Sequence, residues 1–400
     1  MKLNHQSKFI ILSFCYLFTL TALAQSIKPT NPPQNQIPQA QTTKPTVYSI
    51  IEQVRKKHAP DKRVAYFQVE LDSNRIIGKT NLPAAKKDLL NRLKSNGYVL
   101  LDAVKLLPDN ELLENRNCGI ANISVLNLRS QPKESAELAS QALLGTPLKV
   151  LDKERNWYLI QTPDNYIGWA DGSTFARITL AQFDRYQANK FVMFTKPYGF
   201  SYAQADDNAQ TISDLTWGNL LAVKDTLQDF YEVLYPDGRS AFVLKKETIG
   251  HQEWKQSVKA TEQNLVNTAF KMQGLPYLWG GTSWKGIDCS GFTRMVYQSN
   301  GILLPRDASQ QVWAGEEVPF DSLQVGDLLF FGEKATSEKA ERVVHVGMWL
   351  GNKEFIHSSG MVKISSFDEH SPRYDAHNAG RYLRARRILG NEKGIVSLKK

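Results

Sequence analysis

Three side chains in the last third of the chain have the types and spacing for nucleophilic catalysis. Cys289 stands in the stretch GIDCSGF, residues 286 to 292, and opens the run CSGFTRMVYQSNG, which has helical periodicity and stops at Gly301. A thiol attacks carbonyls as thiolate, and a helix start lowers its pKa through the positive end of the macrodipole. The same backbone N–H groups can hold an oxyanion, and Gly291 leaves room for substrate above the helix start. His345 in VVHVGMW and His357 in FIHSSG fall on adjacent predicted strands joined by a turn of five to seven residues. Pairing of those strands sets the two imidazoles side by side. One ring would take the thiol proton and the other would hold it in the right tautomer. Each could instead be a satisfied strand histidine. A Cys-His-His zinc centre is a rival, but no C-x-x-C or H-E-x-x-H spacing accompanies these residues. No metal and no cofactor is expected.

The elements around these residues read as an α+β domain over 249–400. TEQNLVNTAFKMQG is an amphipathic helix capped by Thr261 and stopped by Gly274. After the Cys289 helix come the period-2 strands VGDLLFFG, VVHVGMWLG, EFIHSSG, VKISSF and YLRARRIL. The charged insertion GEKATSEKAERV, 332–343, reads as a solvated loop long enough to shade a groove. His370 and His377 lie in a polar, Pro-interrupted loop outside the chemistry.

Upstream is an internal repeat. A shift of 73 residues lays GTPLKVLDKERNWYLIQTPDNYIGW, from Gly145, onto GNLLAVKDTLQDFYEVLYPDGRSAF, from Gly218. Each copy has short β-rich runs, and PDN and PDG are hairpin turns. Two small β-barrels are expected, at 117–180 and 186–248. Residues 46–116 follow an α-β-β-α-β pattern, a small α/β layer with no chemical constellation, read as a scaffold or docking module.

The N-terminal MKLNHQSKFIILSFCYLFTLTALAQS has a basic start, a short apolar block and a small-x-small site, hence a signal peptide over 1–24. Residues 25–45 read as a Pro/Gln/Thr-rich disordered linker. Export follows, to the periplasm or the extracellular space, with no stable membrane insertion after cleavage. The formal charge is +9, yet no run of five Lys/Arg exists, so nucleic acid is not an expected partner. Cys118 reads as a small buried apolar residue, with pairing to Cys289 as the alternative.

The blocks LPYLWGGTSWKGIDCSGFTRMVYQSNGILLPRDASQQ, LQVGDLLFF, VVHVGMWLG and FIHSS, in that order over residues 260 to about 390, resemble the NlpC family of papain-like peptidoglycan cysteine endopeptidases. LRSQPKESAELASQALLGTPLKVL resembles bacterial SH3-like domains, and the second copy does so less closely. The whole resembles the γ-D-glutamyl-L-diamino-acid endopeptidases, or dipeptidyl-peptidase VI. The implied fold is an α+β papain-like cysteine peptidase domain preceded by two small SH3-like β-barrels and a small N-terminal α/β domain. The resemblance implies Cys289 as nucleophile, His345 as general base and His357 as the orienting third member. Tyr277, from the Y-x-W-G-G block, would line the cleft near the oxyanion. Asp288 and Ser290 would help hold D-Glu and the peptide, and Arg306, Asp307 and Ser309 would form part of the groove. The first SH3-like domain would cap one end and read a free L-Ala amine through Glu137 and Tyr166, with Glu134 as an alternative. The implied substrates are peptidoglycan stem peptides, and a monomer is expected. A non-catalytic wall-binding protein, or an amidase or acyltransferase on the same fold, stays open.

Overall fold

Local sequence explains the first elements of the chain. Thr46 caps the helix Val47–His58 by accepting from the Ser49 amide at 3.1 Å. A hairpin follows, Phe67–Asp72 against Arg75–Thr80, then the helix Pro83–Ser95 with proline at its first turn. The strand Leu101–Leu106 returns parallel to Arg75–Thr80, giving the expected α-β-β-α-β order. Ile50, Val54, Ile76, Leu89 and Val104 close this small core. The computed structural model describes residues 44–399, so the signal-peptide expectation and nearly all of the 25–45 linker lie outside the described residues. No helix among those described is long and apolar enough to cross a membrane.

The repeat folds twice in the same way. The first copy is a seven-stranded sheet in the order 175–178, 118–121, 147–154, 157–161, 167–171, 125–129, 138–143. The second runs 248–250, 191–194, 220–226, 230–234, 240–244, 199–202, 211–215, the same topology strand for strand. The two hairpin turns use Asn165 and Gly238 at positive φ, 66° and 91°. The repeated glycines, Gly145 and Gly218, lie where the barrels meet. A Cβ on Gly145 would fall 2.5 Å from the Leu220 carbonyl, and one on Gly218 would fall 2.8 Å from Leu143.

The last unit layers helices Glu262–Lys271 and Cys289–Gln298 on a six-stranded antiparallel sheet. Its order is 316–318, 382–387, 328–333, 342–351, 354–359, 361–366. Phe292, Met295 and Val296 pack on Phe330, Val346, Met348 and Ile356, so the Cys289 helix is buried on nearly all sides. This is why CSGFTRMVYQ reads more apolar than an ordinary surface helix. The histidine strands are joined by a two-residue turn, Asn352-Lys353, both at positive φ, shorter than the expected five to seven residues. Between strands 328–333 and 342–351 the inserted charged residues are exposed, and the loop rejoins the fold at Arg342.

Candidate active site

The Cys289 helix begins on a capping carboxylate. Asp288 Oδ1 accepts from the Gly291 amide at 2.7 Å, and Oδ2 accepts from the Gly280 amide at 3.0 Å. Arg306, 1% exposed, donates to the same two oxygens at 3.2 and 2.6 Å. Arg306 also donates to Ser290 Oγ at 3.0 Å and, from Nε, to Ser140 Oγ of the first barrel at 3.2 Å. The polar groups of Asp288, Ser290 and Arg306 also bind one another, forming a buried bracket that holds the nucleophile's helix, the WGG loop and the barrel together.

Gly291 serves a different purpose from the one expected. A Cβ there would lie 2.1 Å from the Gly281 carbonyl, so the missing side chain admits the neighbouring loop rather than substrate. Gly280, at φ +77°, brings the same loop against the barrel: a Cβ would sit 2.2 Å from the Leu138 carbonyl. Trp279 Nε1 donates to Glu137 Oε1 at 2.8 Å across that junction, a contact with no advance signal in the sequence.

The two imidazoles come together as the strand pairing requires. The backbone N–H of Val346, next to His345, and that of Ser290 donate to the Cys289 sulfur. His345 Nε2 meets His357 Nδ1 at 2.7 Å, with ring centroids 5.0 Å apart. Among the described residues His345 Nδ1 has no hydrogen-bond partner, so it is the ring atom left to serve the thiol. The two rings spend facing nitrogens on each other, which disfavours a zinc centre in which both would converge on a metal with the sulfur. The relay continues further than the sequence suggested. His357 Nε2 meets Ser365 Oγ at 3.0 Å and lies 3.9 Å from Asp375 Oδ2, while Ser365 donates to Asp375. Ser365 is the diagonal neighbour of His357, two residues beyond its strand partner Lys363, and strand alternation alone could have found it. Asp375 comes from the loop after strand 361–366 and carries no local signal of this role.

Burial works against the expected thiolate. Burial pushes the Cys289 thiol up to about 12, the Asp288 charge adds to the rise, and the helix-start amides and Arg306 only partly offset it. Burial lowers His345 to about 3, with His357 adding to the fall, and burial lowers His357 to about 4 against the pull of Asp375. Burial thus opposes charge on the thiol and on both imidazoles of the unliganded site.

A cleft of about 710 Å³ opens over the sulfur. Tyr277, Asp288, Ser290, Arg306, Asp307, Ser309, Glu137 and Tyr166 all line it, so the structure brings every expected binding residue to one place. Glu137 lines the cleft at its exposed mouth, where it accepts from Trp279, whereas the alternative Glu134 pairs with Arg129 at 3.0 Å outside the lining. Tyr166 is buried with its hydroxyl against the Asp307 carboxylate. His370 contributes no side chain to the cleft, and His377 acts on His345 only through its charge. Cys118 is half-buried rather than fully buried, and neither it nor Cys289 forms a disulfide.

The NlpC/P60 family matches residues 274–381, and the bacterial SH3 domain matches residues 124–176. The gamma-D-glutamyl-L-lysine dipeptidyl-peptidase of Bacillus cereus is 33% identical over 258 residues, which is 62% of this chain and 76% of that protein. The chain belongs to the NlpC/P60 family. The enzyme of the same name from Bacillus subtilis is 30% identical over 229 residues, covering 55% of this chain and 72% of its own length. A solved NlpC/P60 family protein from Bacillus cereus superposes with a TM-score of 0.57 at 27% identity, over 68% of this chain and 99% of that one. As an NlpC/P60 protein the chain is a cysteine peptidase with a papain-like domain and an SH3 domain. Its cysteine at a helix start, facing the cleft, and its hydrogen-bonded imidazole pair are residue types that cysteine peptidase chemistry uses.

Proposed function

We propose that this protein is an exported cysteine endopeptidase. It hydrolyses the bond between γ-D-glutamate and the diamino acid in peptidoglycan stem peptides that carry a free N-terminal L-Ala. The observation that carries this reading is the hydrogen-bonded His345–His357 pair on the strands packed against the Cys289 helix, beneath a cleft lined by Cys289 and walled by the first barrel. The names of the Bacillus relatives support the bond assigned. In the first half-reaction Cys289 Sγ attacks the γ-carbonyl carbon as its proton passes to His345 Nδ1. The tetrahedral oxyanion faces the helix-start amides. Its collapse forms a thioester and breaks the C–N bond, with the His345 proton going to the departing amine. Water then cleaves the thioester by the same route and restores the thiol. His357, with Ser365 and Asp375 behind it, keeps Nδ1 of His345 unprotonated.

Glu137, exposed at the mouth, and the Tyr166 hydroxyl suit an ammonium, which needs a carboxylate and an acceptor. The wall-hydrolase family supports a location outside the cytoplasm, in the periplasm or beyond. Mass spectrometry of products from defined tri- and tetrapeptide stems, with and without an acylated N-terminal Ala, tests the proposal. Release of L-Ala-γ-D-Glu from the free stem alone is the expected result. Intact stems after prolonged incubation would remove the activity, and equal cleavage of both forms would remove the amine requirement.

A further inference from the structure

The small α/β unit, which the sequence offered only as a scaffold, reaches into the cleft. Arg63, in the segment before its first strand, donates from Nη1 to Asp307 Oδ2 and to Ser309 Oγ, each at 2.9 Å. Asp61 steadies the guanidinium with two bonds at 2.8 Å and accepts from Gln310 Nε2 at 2.8 Å. The Arg63 carbonyl accepts from the Ile167 amide of the first barrel at 2.7 Å, next to Tyr166. A three-way joint results, with the α/β unit, the first barrel and the peptidase layer meeting at one end of the cleft. Lys62, Tyr66 and Gln68 of the same unit continue the lining.

We infer that this α/β unit is the end wall of the substrate cleft and that Arg63 is its specificity-determining residue. Arg63 fixes the Asp307 carboxylate against Tyr166, so that the terminal amine of a short peptide is accepted and any extension beyond it meets the wall. The inference rests on the reading under Proposed function and names the part of the chain that enforces it. Asp307 lies in a largely buried position between Arg306 and Arg63. Without Arg63 it loses its bidentate-capable partner and its fixed orientation. The wall then loosens where Tyr166 faces the substrate. A bare docking module would not spend a charged side chain on the groove.

The test uses the full chain, with the free tripeptide L-Ala-γ-D-Glu-diaminopimelate and its N-acetyl form as paired substrates. Arg63→Ala is expected to raise KM for the free tripeptide by about tenfold, as for loss of a charge-assisted hydrogen bond. It should change kcat much less and narrow the preference for the free amine. Arg63→Lys should recover part of the KM, which a purely structural role would not predict. Lys62→Trp, at an exposed lining position that makes no hydrogen bond or ion pair among the described residues, guards against misfolding of the first variant. It should weaken binding of the free tripeptide by crowding the cleft. Unchanged KM and unchanged free-to-acetylated preference in both Arg63→Ala and Lys62→Trp would overturn the inference while leaving the activity standing. A parent enzyme that cleaves neither peptide would overturn the reading on which the inference rests, and the inference with it.

Discussion

Asp375 is the far end of the proton relay, and its replacement by asparagine isolates what a remote charge contributes. The carboxylate lies 3.9 Å from His357 Nε2, and the His345 ring is a further 5.0 Å on, centroid to centroid. During attack His345 becomes an imidazolium. At roughly 9 Å and an effective dielectric of about 20, its attraction to Asp375 is about 2 kcal/mol. Partial solvent access at Asp375 trims that figure, so Asp375→Asn is expected to lower kcat/KM on a stem tripeptide by about tenfold. Asparagine keeps the other duty of this position. Asp375 caps the short helix Ala376–Gly380 by accepting from the Asn378 amide at 3.0 Å, and asparagine caps as well as aspartate. Thermal unfolding should therefore stay close to that of the parent while activity falls. The direction of the chain also matters. Asp375 only accepts, so Ser365 donates to it and accepts from His357 Nε2–H, leaving His357 Nδ1 to accept from His345 Nε2–H. An asparagine amide can donate in the reverse sense and admit the wrong tautomer, so the loss should persist across the whole pH range. Activity within twofold of the parent from pH 5 to 9 would refute the relay argument.

Other consequences are open to direct measurement. With the Cys289 thiol pushed up to about 12 by burial, iodoacetamide should alkylate the resting enzyme slowly at pH 7 and faster as pH rises; in a Cys118→Ser background, rapid labelling at pH 6 would show a resting thiolate instead. Arg306→Met strands the buried Asp288 charge and should cost about 3–5 kcal/mol in denaturant unfolding, whereas Asp288→Asn/Arg306→Met together should recover a good part of that loss; a single variant as stable as the parent would disprove the bracket. Both imidazoles are held neutral by burial, with folded values below the unfolded one of about 6.5. The unfolded chain therefore binds more protons below that pH, and folding stability falls as pH drops from about 6.5 towards 4. In His345→Asn that acid-side slope, read from unfolding at several pH values, should flatten.

What the sequence made legible was what period and spacing encode. The Cys289 helix, the histidine strands and the doubled barrel are all written in local patterns of apolar residues, turns and caps, and each formed where those patterns put it. The contacts of Asp288 and Gly291 are not legible along the chain, because a residue's sequence neighbours do not reveal which partners arrive from elsewhere. Asp288 is claimed by Arg306, 18 positions on, and Gly291 by the Gly281 carbonyl. Trp279 and Arg63 each act across a junction between units that periodicity treats separately, and Asp375 reaches His357 from a loop with no period of its own. The thiol's protonation state was also out of reach, because a helix start pulls a pKa down by an amount any rule can anticipate, while the burial that opposes it depends on everything packed around the sulfur. The chemistry of this family thus sits in a short, readable core. In the proposed reading the choice of substrate falls to side chains such as Glu137 and Tyr166 of the first barrel and Arg63 of the α/β unit. If that division holds, substitutions confined to the α/β unit should change which peptides are cut while leaving the order of bond making and breaking at Cys289 untouched.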